Sequence, residues 1–279
     1  MLKNYIEDTS IQGRRAEIAI KCRRIRTMLD ENGYEALLLT KHPNFSWITA
    51  GGKSFVANCF DNGAVSVLIT KDSCYAICNI IEEPRLINEE KMPELGFELF
   101  VYGWEENLLE EFVCKHVSCI DKVVSDTPCG GATVDLSLID PLRYCLTENE
   151  IARYRHLGDT MSMLLEEYMP KVRPGMTEYE IAGGISKALW KCGIEQVMHL
   201  VSADERSFKY RHGLPTEKIL KHNLIVSING RYKGLVTTIS RMVYFGIPDK
   251  SLTEQYLDCC EMECMTTAKA RVGTDEIEM

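Results

Sequence analysis

Tyr210–Gly246 reads YRHGLPTEKILKHNLIVSINGRYKGLVTTISRMVYFG. A histidine, His212, stands beside a Gly-Leu-Pro turn. Two strand-like runs follow, joined by the glycine-containing turn Tyr232-Lys233-Gly234. No Asp or Glu lies between Glu217 and Asp249, so every polar side chain in the strand pair is neutral or cationic. The missing carboxylates are the main functional clue in the chain, and the rest reads as scaffold for this segment.

The totals exclude several classes of protein. A chain of 279 residues is long for one domain and comfortable for two, and 45% hydrophobic with 26% charged residues is ordinary for a globular protein. The net charge of -9 argues against a nucleic-acid or anionic-membrane surface. No run approaches the roughly 20 apolar residues needed to span a bilayer, and the polar start MLKNYIEDTSIQGRR has no apolar signal core. A cytoplasmic protein is the expectation. Twelve cysteines are scattered without a C-x-x-C pair or a zinc-finger histidine, which predicts reduced, buried thiols acting as small hydrophobes. Lys21, Arg23, Arg24 and Arg26 are expected on a solvated helix face.

Upstream of the opening stretch, Ile18, Cys22, Ile25 and Leu29 form one helical stripe within residues 14–32, stopped by Asn32-Gly33. A buried strand is expected over 36–39, then a polar turn at 41–44 and an aromatic strand over 45–49. Further strands are placed at 64–70, 74–78, 97–102 and 120–125, and helices at 82–91 and 105–116. This alternation predicts an α/β domain over residues 1–145. His42 and His116 are isolated and carry no assigned chemistry.

A second domain, 146–279, opens with the capping box Thr147-Glu-Asn-Glu150. Its helix runs to about Met169, with Ile151, Tyr154, Met161, Leu165 and Tyr168 inward. Arg173-Pro174-Gly175 is a turn, and a second box, Thr177-Glu-Tyr-Glu180, starts a helix carrying Ile181, Ile185 and Leu189. The order recurs in Ser251-Leu-Thr-Glu254, Val272-Gly273 and Asp275-Glu-Ile-Glu278, as if an α-α-β-β unit were duplicated. The second copy lacks its strands, so either a truncated product or a covering partner chain is expected.

These residues resemble the pita-bread hydrolases: creatinase, aminopeptidase P and prolidase. The resemblance rests on Leu142-Arg143 before the Thr147–Glu150 box, on Arg173-Pro174-Gly175-Met176-Thr177-Glu178 and on Arg211-His212-Gly213-Leu214-Pro215-Thr216. It rests also on Tyr232-Lys233-Gly234 leading to Ser240-Arg241, and on Pro43-Asn44 in a creatinase-type amino-terminal half. It implies an α/β fold: a creatinase-like N-terminal domain followed by the first half of a pita-bread α+β domain. Peptidases of the family hold two divalent metals (manganese, zinc or cobalt) through two aspartates, a histidine and two glutamates. By that resemblance the aspartate positions fall on Ser227 and Thr238, eleven apart, and the later ligands lie beyond Met279. Neutral hydroxyls are poor ligands for a hard dication, so no metal is expected in this chain.

The resemblance further implies that His212 is the surviving catalytic group, an acid/base in creatinase and a substrate-binding residue in the peptidases. Tyr210, Arg211, Tyr232 and Arg241 are candidate substrate-binding residues, Arg241 being equally an inward arginine paired with a carboxylate elsewhere. Asn229, Ser227 and Thr238 suit a neutral polar or anionic ligand. The implied function is a C–N hydrolase homologue of the Xaa-Pro aminopeptidase or creatinase type that is not metal-dependent and is inactive as a peptidase in this form, with a small molecule or peptide as the substrate class. The alternatives are a pseudoenzyme serving as a binding or assembly module, or an inactive fragment. A homodimer that binds neither nucleic acid nor membrane is expected.

Overall fold

The computed structural model describes residues 6–271. The chain divides into two compact units, one of residues 1–161, 192–195 and 230–237 and the other of residues 162–191, 196–229 and 238–279. Among the described residues no helix is long and apolar enough to cross a membrane.

The first unit is built on a six-stranded mixed sheet in the order β4-β3-β2-β1-β5-β6. Its strands are β1 (Ala36–Lys41), β2 (Asn62–Thr70), β3 (Cys74–Asn79), β4 (Glu98–Tyr102), β5 (Val123–Ser125) and β6 (Thr133–Val134). Antiparallel pairing joins β1 to β2 and β2 to β3, and parallel pairing joins β3 to β4, β1 to β5 and β5 to β6. The continuous apolar run Ala36–Leu39 follows from its central place. Leu37 and Leu39 enter the core built with Ile18, Cys22, Ile25 and Leu29 of helix α1 (Ile11–Asn32), while Ala36 and Leu38 enter the opposite core with Phe112 and Val113. Helix α2 (His42–Ile48) occupies the place expected for a polar turn and an aromatic strand. Pro43 suits a first helical turn, and an apolar run this short does not by itself separate helix from strand. Helices α3 (Glu83–Asn88) and α4 (Leu109–Cys114) are shorter than their charged patterns predict. Two one-turn helices, α5 (Leu136–Ile139) and α6 (Pro141–Tyr144), lead into α7 (Glu148–Tyr168).

The Thr147–Glu150 box forms as expected: Glu150 N donates to Thr147 Oγ1 at 3.2 Å and Thr147 N to Glu150 Oε2 at 2.8 Å. Met161 and Leu165 are buried on α7, whereas Ile151, Tyr154 and Tyr168 are half-buried and Leu157 takes the innermost place. Helix α8 (Glu178–Lys191) buries Ile181, Ile185 and Leu189, and the Thr177–Glu180 box caps it. The second sheet, β7-β8-β9, consists of β7 (Glu195–Ala203), β8 (Asn223–Tyr232) and β9 (Leu235–Tyr244), with the short helix α9 (Glu205–Lys209) after β7. Neither β7 nor α9 was expected from the sequence. Helix α10 (Lys250–Lys269) is capped by Asp249, which accepts from Leu252 N at 2.8 Å, and not by Ser251, since the carboxylate two residues earlier is the stronger acceptor. The expected box at 275–278 lies outside the described residues.

Two expectations about burial fail. Lys21 is fully buried in an ion cluster with Glu17 and Glu150, and Arg24 and Arg26 are half-buried, so only Arg23 of the four is exposed. All twelve cysteines are free, but only Cys22 and Cys78 are buried, so most are not core hydrophobes. His116 is half-buried, its ring 4.2 Å from that of Phe112, and His42 lies 5.2 Å from the ring of Phe55.

Candidate functional site

The loop carrying His212 is fixed from below by a carboxylate that sequence reasoning did not single out. Glu178, at the start of α8, has no exposure. One of its oxygens accepts from Ala203 N at 2.7 Å and Arg206 Nε at 3.0 Å, the other from Thr216 N at 2.8 Å and Thr216 Oγ1 at 2.7 Å. Arg206 continues to Leu214 O at 2.6 Å, and Val201 N donates to Gly213 O at 3.0 Å. A Cβ at position 213 would lie 1.8 Å from Ser202 Oγ, so any larger residue there would have to turn the Ser202 hydroxyl away. The loop is thereby tied at Gly213, Leu214 and Thr216 while the side chains of Arg211 and His212 are exposed. Tyr210 is also exposed, its ring 5.3 Å from the Arg206 guanidinium.

Asp204 forms a second clamp. It holds φ +53°, a conformation that a non-glycine residue adopts at a cost, and its carboxylate accepts from the backbone N–H groups of Lys221, His222 and Asn223. Burial works against its ionisation, and the three backbone donors outweigh that, holding the carboxyl below its ordinary value. This clamp sets where β8 begins.

On the open face of β8 and β9 the side chains are matched in neutral pairs. Thr238 Oγ1 donates to Asn229 Oδ1 at 2.8 Å, and Ser240 Oγ to Ser227 Oγ at 2.9 Å. Leu224, Val226 and Ile228 point the other way and are buried, as strand alternation requires. Arg241 Nε meets Glu166 Oε1 at 2.7 Å, and its Nη2 reaches Ser162 Oγ at 3.1 Å, so the guanidinium is paired with a carboxylate from α7. Thr238, Ser240 and Arg241 line a cavity of about 620 Å³ together with Tyr256, Cys259 and Glu263 of α10. Tyr210, Arg211 and His212 do not line it. Tyr232 belongs to the other compact unit, its ring 5.1 Å from that of His156.

Among the described residues no group of three or more His, Cys, Asp or Glu side chains could hold a metal ion. A hydroxyl brings a hard dication no charge and weak donation, and the hydroxyls here already bond one another. The residues of the β8–β9 pair therefore do not fit a centre of two divalent metals. What the face can do is hold a polar group by exchange of neutral hydrogen bonds.

Glu178, Asp204 and Glu166 are the residues missed from sequence. Glu178 stands inside a motif noted for its order alone, and nothing in its spacing marks it as buried. Asp204 and Glu166 have no local signal, because their carboxylates bond groups 17–19 and 75 residues away.

Residues 152–278 match metallopeptidase family M24. The chain is 20% identical over 274 residues to an Xaa-Pro dipeptidase of Pyrococcus horikoshii, the match covering 93% of this chain and 74% of that protein. In structure it is similar to an Xaa-Pro dipeptidase from Bacillus anthracis, with a TM-score of 0.66, 22% identity and coverage of 85% of this chain and 68% of that one. It is likewise similar to the prolidase of Pyrococcus horikoshii, with a TM-score of 0.70, 18% identity and coverage of 88% and 71%.

Proposed function

We propose that the chain, whose residues 152–278 match metallopeptidase family M24, is a C–N hydrolase homologue of the pita-bread type whose β8–β9 strand pair works without metal. The observation that carries the reading is the pair of neutral hydrogen bonds, Thr238–Asn229 and Ser240–Ser227, on the open face. His212 is the proton-transfer group of this reading: it is exposed on a loop that Glu178, Arg206 and Val201 hold in place. Tyr210 and Arg211, exposed on the same loop as His212, are candidate substrate contacts, and so is Arg241, whose guanidinium is held by Glu166. The substrate is a small molecule or peptide presenting a neutral polar or anionic group. A homodimer is the working form in this reading. Helix α10 supports it, with no buried residue and with Tyr256, Leu257, Met262 and Met265 exposed.

Two measurements test this. Calorimetry of the whole chain with Mn²⁺ or Co²⁺ is expected to show no saturable binding, and stoichiometric uptake abolished by Ser227→Ala would overturn the metal-free site. Hydrolysis of Xaa-Pro dipeptides, other amides and creatine is expected to survive chelation and to fall at least about 100-fold in His212→Ala. Turnover that requires added metal refutes the reading. Absence of all turnover, with ligand-dependent stabilisation retained, would replace it by a non-catalytic binding module.

A further inference from the structure

Cys22 and Cys74 are the one cysteine pair in hydrogen-bond contact among the described residues. Cys22 lies on the buried stripe of α1, and Cys74 is the half-buried first residue of β3. Their Sγ atoms are 3.6 Å apart although 52 positions separate them in sequence. Arg26, one turn along α1 from Cys22, brings Nη2 to 3.9 Å from the Cys74 sulfur while its Nε donates to Thr70 O at 3.2 Å. The 70–73 turn is tied by Thr70 N to Ser73 O at 2.9 Å and Ser73 N to Thr70 Oγ1 at 3.0 Å, which fixes the start of β3 under the guanidinium.

We propose that Cys74 and Cys22 form a peroxide-reactive dithiol site that closes to a disulfide between α1 and β3. Cys74 is the attacking sulfur and Cys22 the resolving one. The geometry supplies each role: Cys74 is the more accessible and has the cation beside it, and Cys22 waits in van der Waals contact behind. An ordinary S–S bond is about 2.05 Å, so closure moves the two sulfurs together by about 1.5 Å, within reach of side-chain rotation. The acidities agree in direction. The contact with Cys22, together with the Arg26 charge, holds the Cys74 thiol below its ordinary value against burial and Glu98 of β4. The same contact and burial raise Cys22. Cys78, buried without such partners, is pushed up to about 11 by burial and stays a thiol.

The step balances with hydrogen peroxide as oxidant. The Cys74 thiolate attacks one peroxide oxygen, the S–O bond forms, the O–O bond breaks, and the leaving hydroxide takes up a proton as water. Cys22 then attacks the Cys74 sulfenic acid, losing its proton to the departing hydroxyl; the S–S bond forms, the S–O bond breaks, and a second water leaves. Two thiols and one peroxide give one disulfide and two waters.

The test uses the whole chain exposed to equimolar peroxide, blocked with N-ethylmaleimide and mapped by peptide mass spectrometry. The expected product is a Cys22–Cys74 cross-linked peptide, accompanied by a Tm higher by about 5 °C that dithiothreitol reverses. In Cys22→Ser the sulfenic acid cannot resolve, and dimedone is expected to label Cys74 at least several-fold faster than Cys114 or Cys119, both exposed. Oxidation of the exposed cysteines with Cys22 and Cys74 both recovered as maleimide adducts would overturn the proposal. So would Cys74 in the serine variant labelling no faster than those two. The cross-link map needs no variant, so it decides the matter even where Cys22→Ser folds poorly.

Discussion

Single residues show how burial sets chemistry that the sequence does not announce. His199 of β7 is 6% exposed, its Nδ1 3.4 Å from Ser186 Oγ and its Nε2 buried without a partner. Burial pushes its pKa from an ordinary 6.5 down to about 4. The folded protein therefore keeps this ring neutral while the unfolded chain takes up a proton as pH falls below 6.5. Stability is unaffected above about pH 7 and declines from pH 6.5 to 4, by about 2 kcal/mol once solvent screening is allowed for. Urea denaturation at pH 7 and pH 4.5 is expected to show this slope, and His199→Leu to flatten it. An unchanged slope in the variant would assign the loss to other groups. His212 could be picked out from its motif, whereas His199 could not, because only the packing of α8 on β7 removes it from water.

Elements were legible in proportion to their length and their local chemistry. The helices starting at Glu148 and Glu178 announce themselves by capping boxes whose bonds close within one turn. The β8–β9 hairpin was legible from its turn, which the structure shows to be a two-residue connection with positive φ at Lys233 (49°) and Gly234 (81°). Its glycine serves a further purpose, since a Cβ at 234 would stand 2.4 Å from the Cβ of the buried Ser46. Gly234→Ala is expected to cost about 2–3 kcal/mol, measured by chemical denaturation, because backbone strain and overpacking act together. A loss below 0.5 kcal/mol would mean that the turn can shift away from Ser46. Helix α2 was misjudged because seven residues give too few turns for periodicity to choose.

For the whole molecule, long-range charge pairing does what no local pattern reveals. Lys21 Nζ reaches Glu17 Oε1 at 2.6 Å, Trp47 O at 2.7 Å and Glu150 Oε1 at 2.9 Å, joining α1, α2 and α7 within the first unit. Arg153 extends the cluster to Glu17 and to Glu7, and Lys233 Nζ bonds Glu7 at 2.8 Å. Removing one charge strands its buried partners. Lys21→Met is accordingly expected to cost about 3–5 kcal/mol by urea unfolding, where exposed Arg23→Met costs less than 0.5 kcal/mol. Equal effects at the two positions would show that the cluster carries no such penalty.

The sequence by itself determined most strands and helices of the first half apart from α2, the capping boxes at Thr147 and Thr177, the hairpin and the order of motifs that resembles the pita-bread hydrolases. It also determined that Ser227 and Thr238 are neutral. Each of these is written in residue identity and short spacing, which backbone geometry converts directly into structure. Only the tertiary structure decided that the neutral groups bond one another, that Arg241 is paired with Glu166, and that Glu178 and Asp204 anchor the segments around His212. Those outcomes depend on which distant side chains meet away from water, and burial, unlike spacing, is a property of the folded whole.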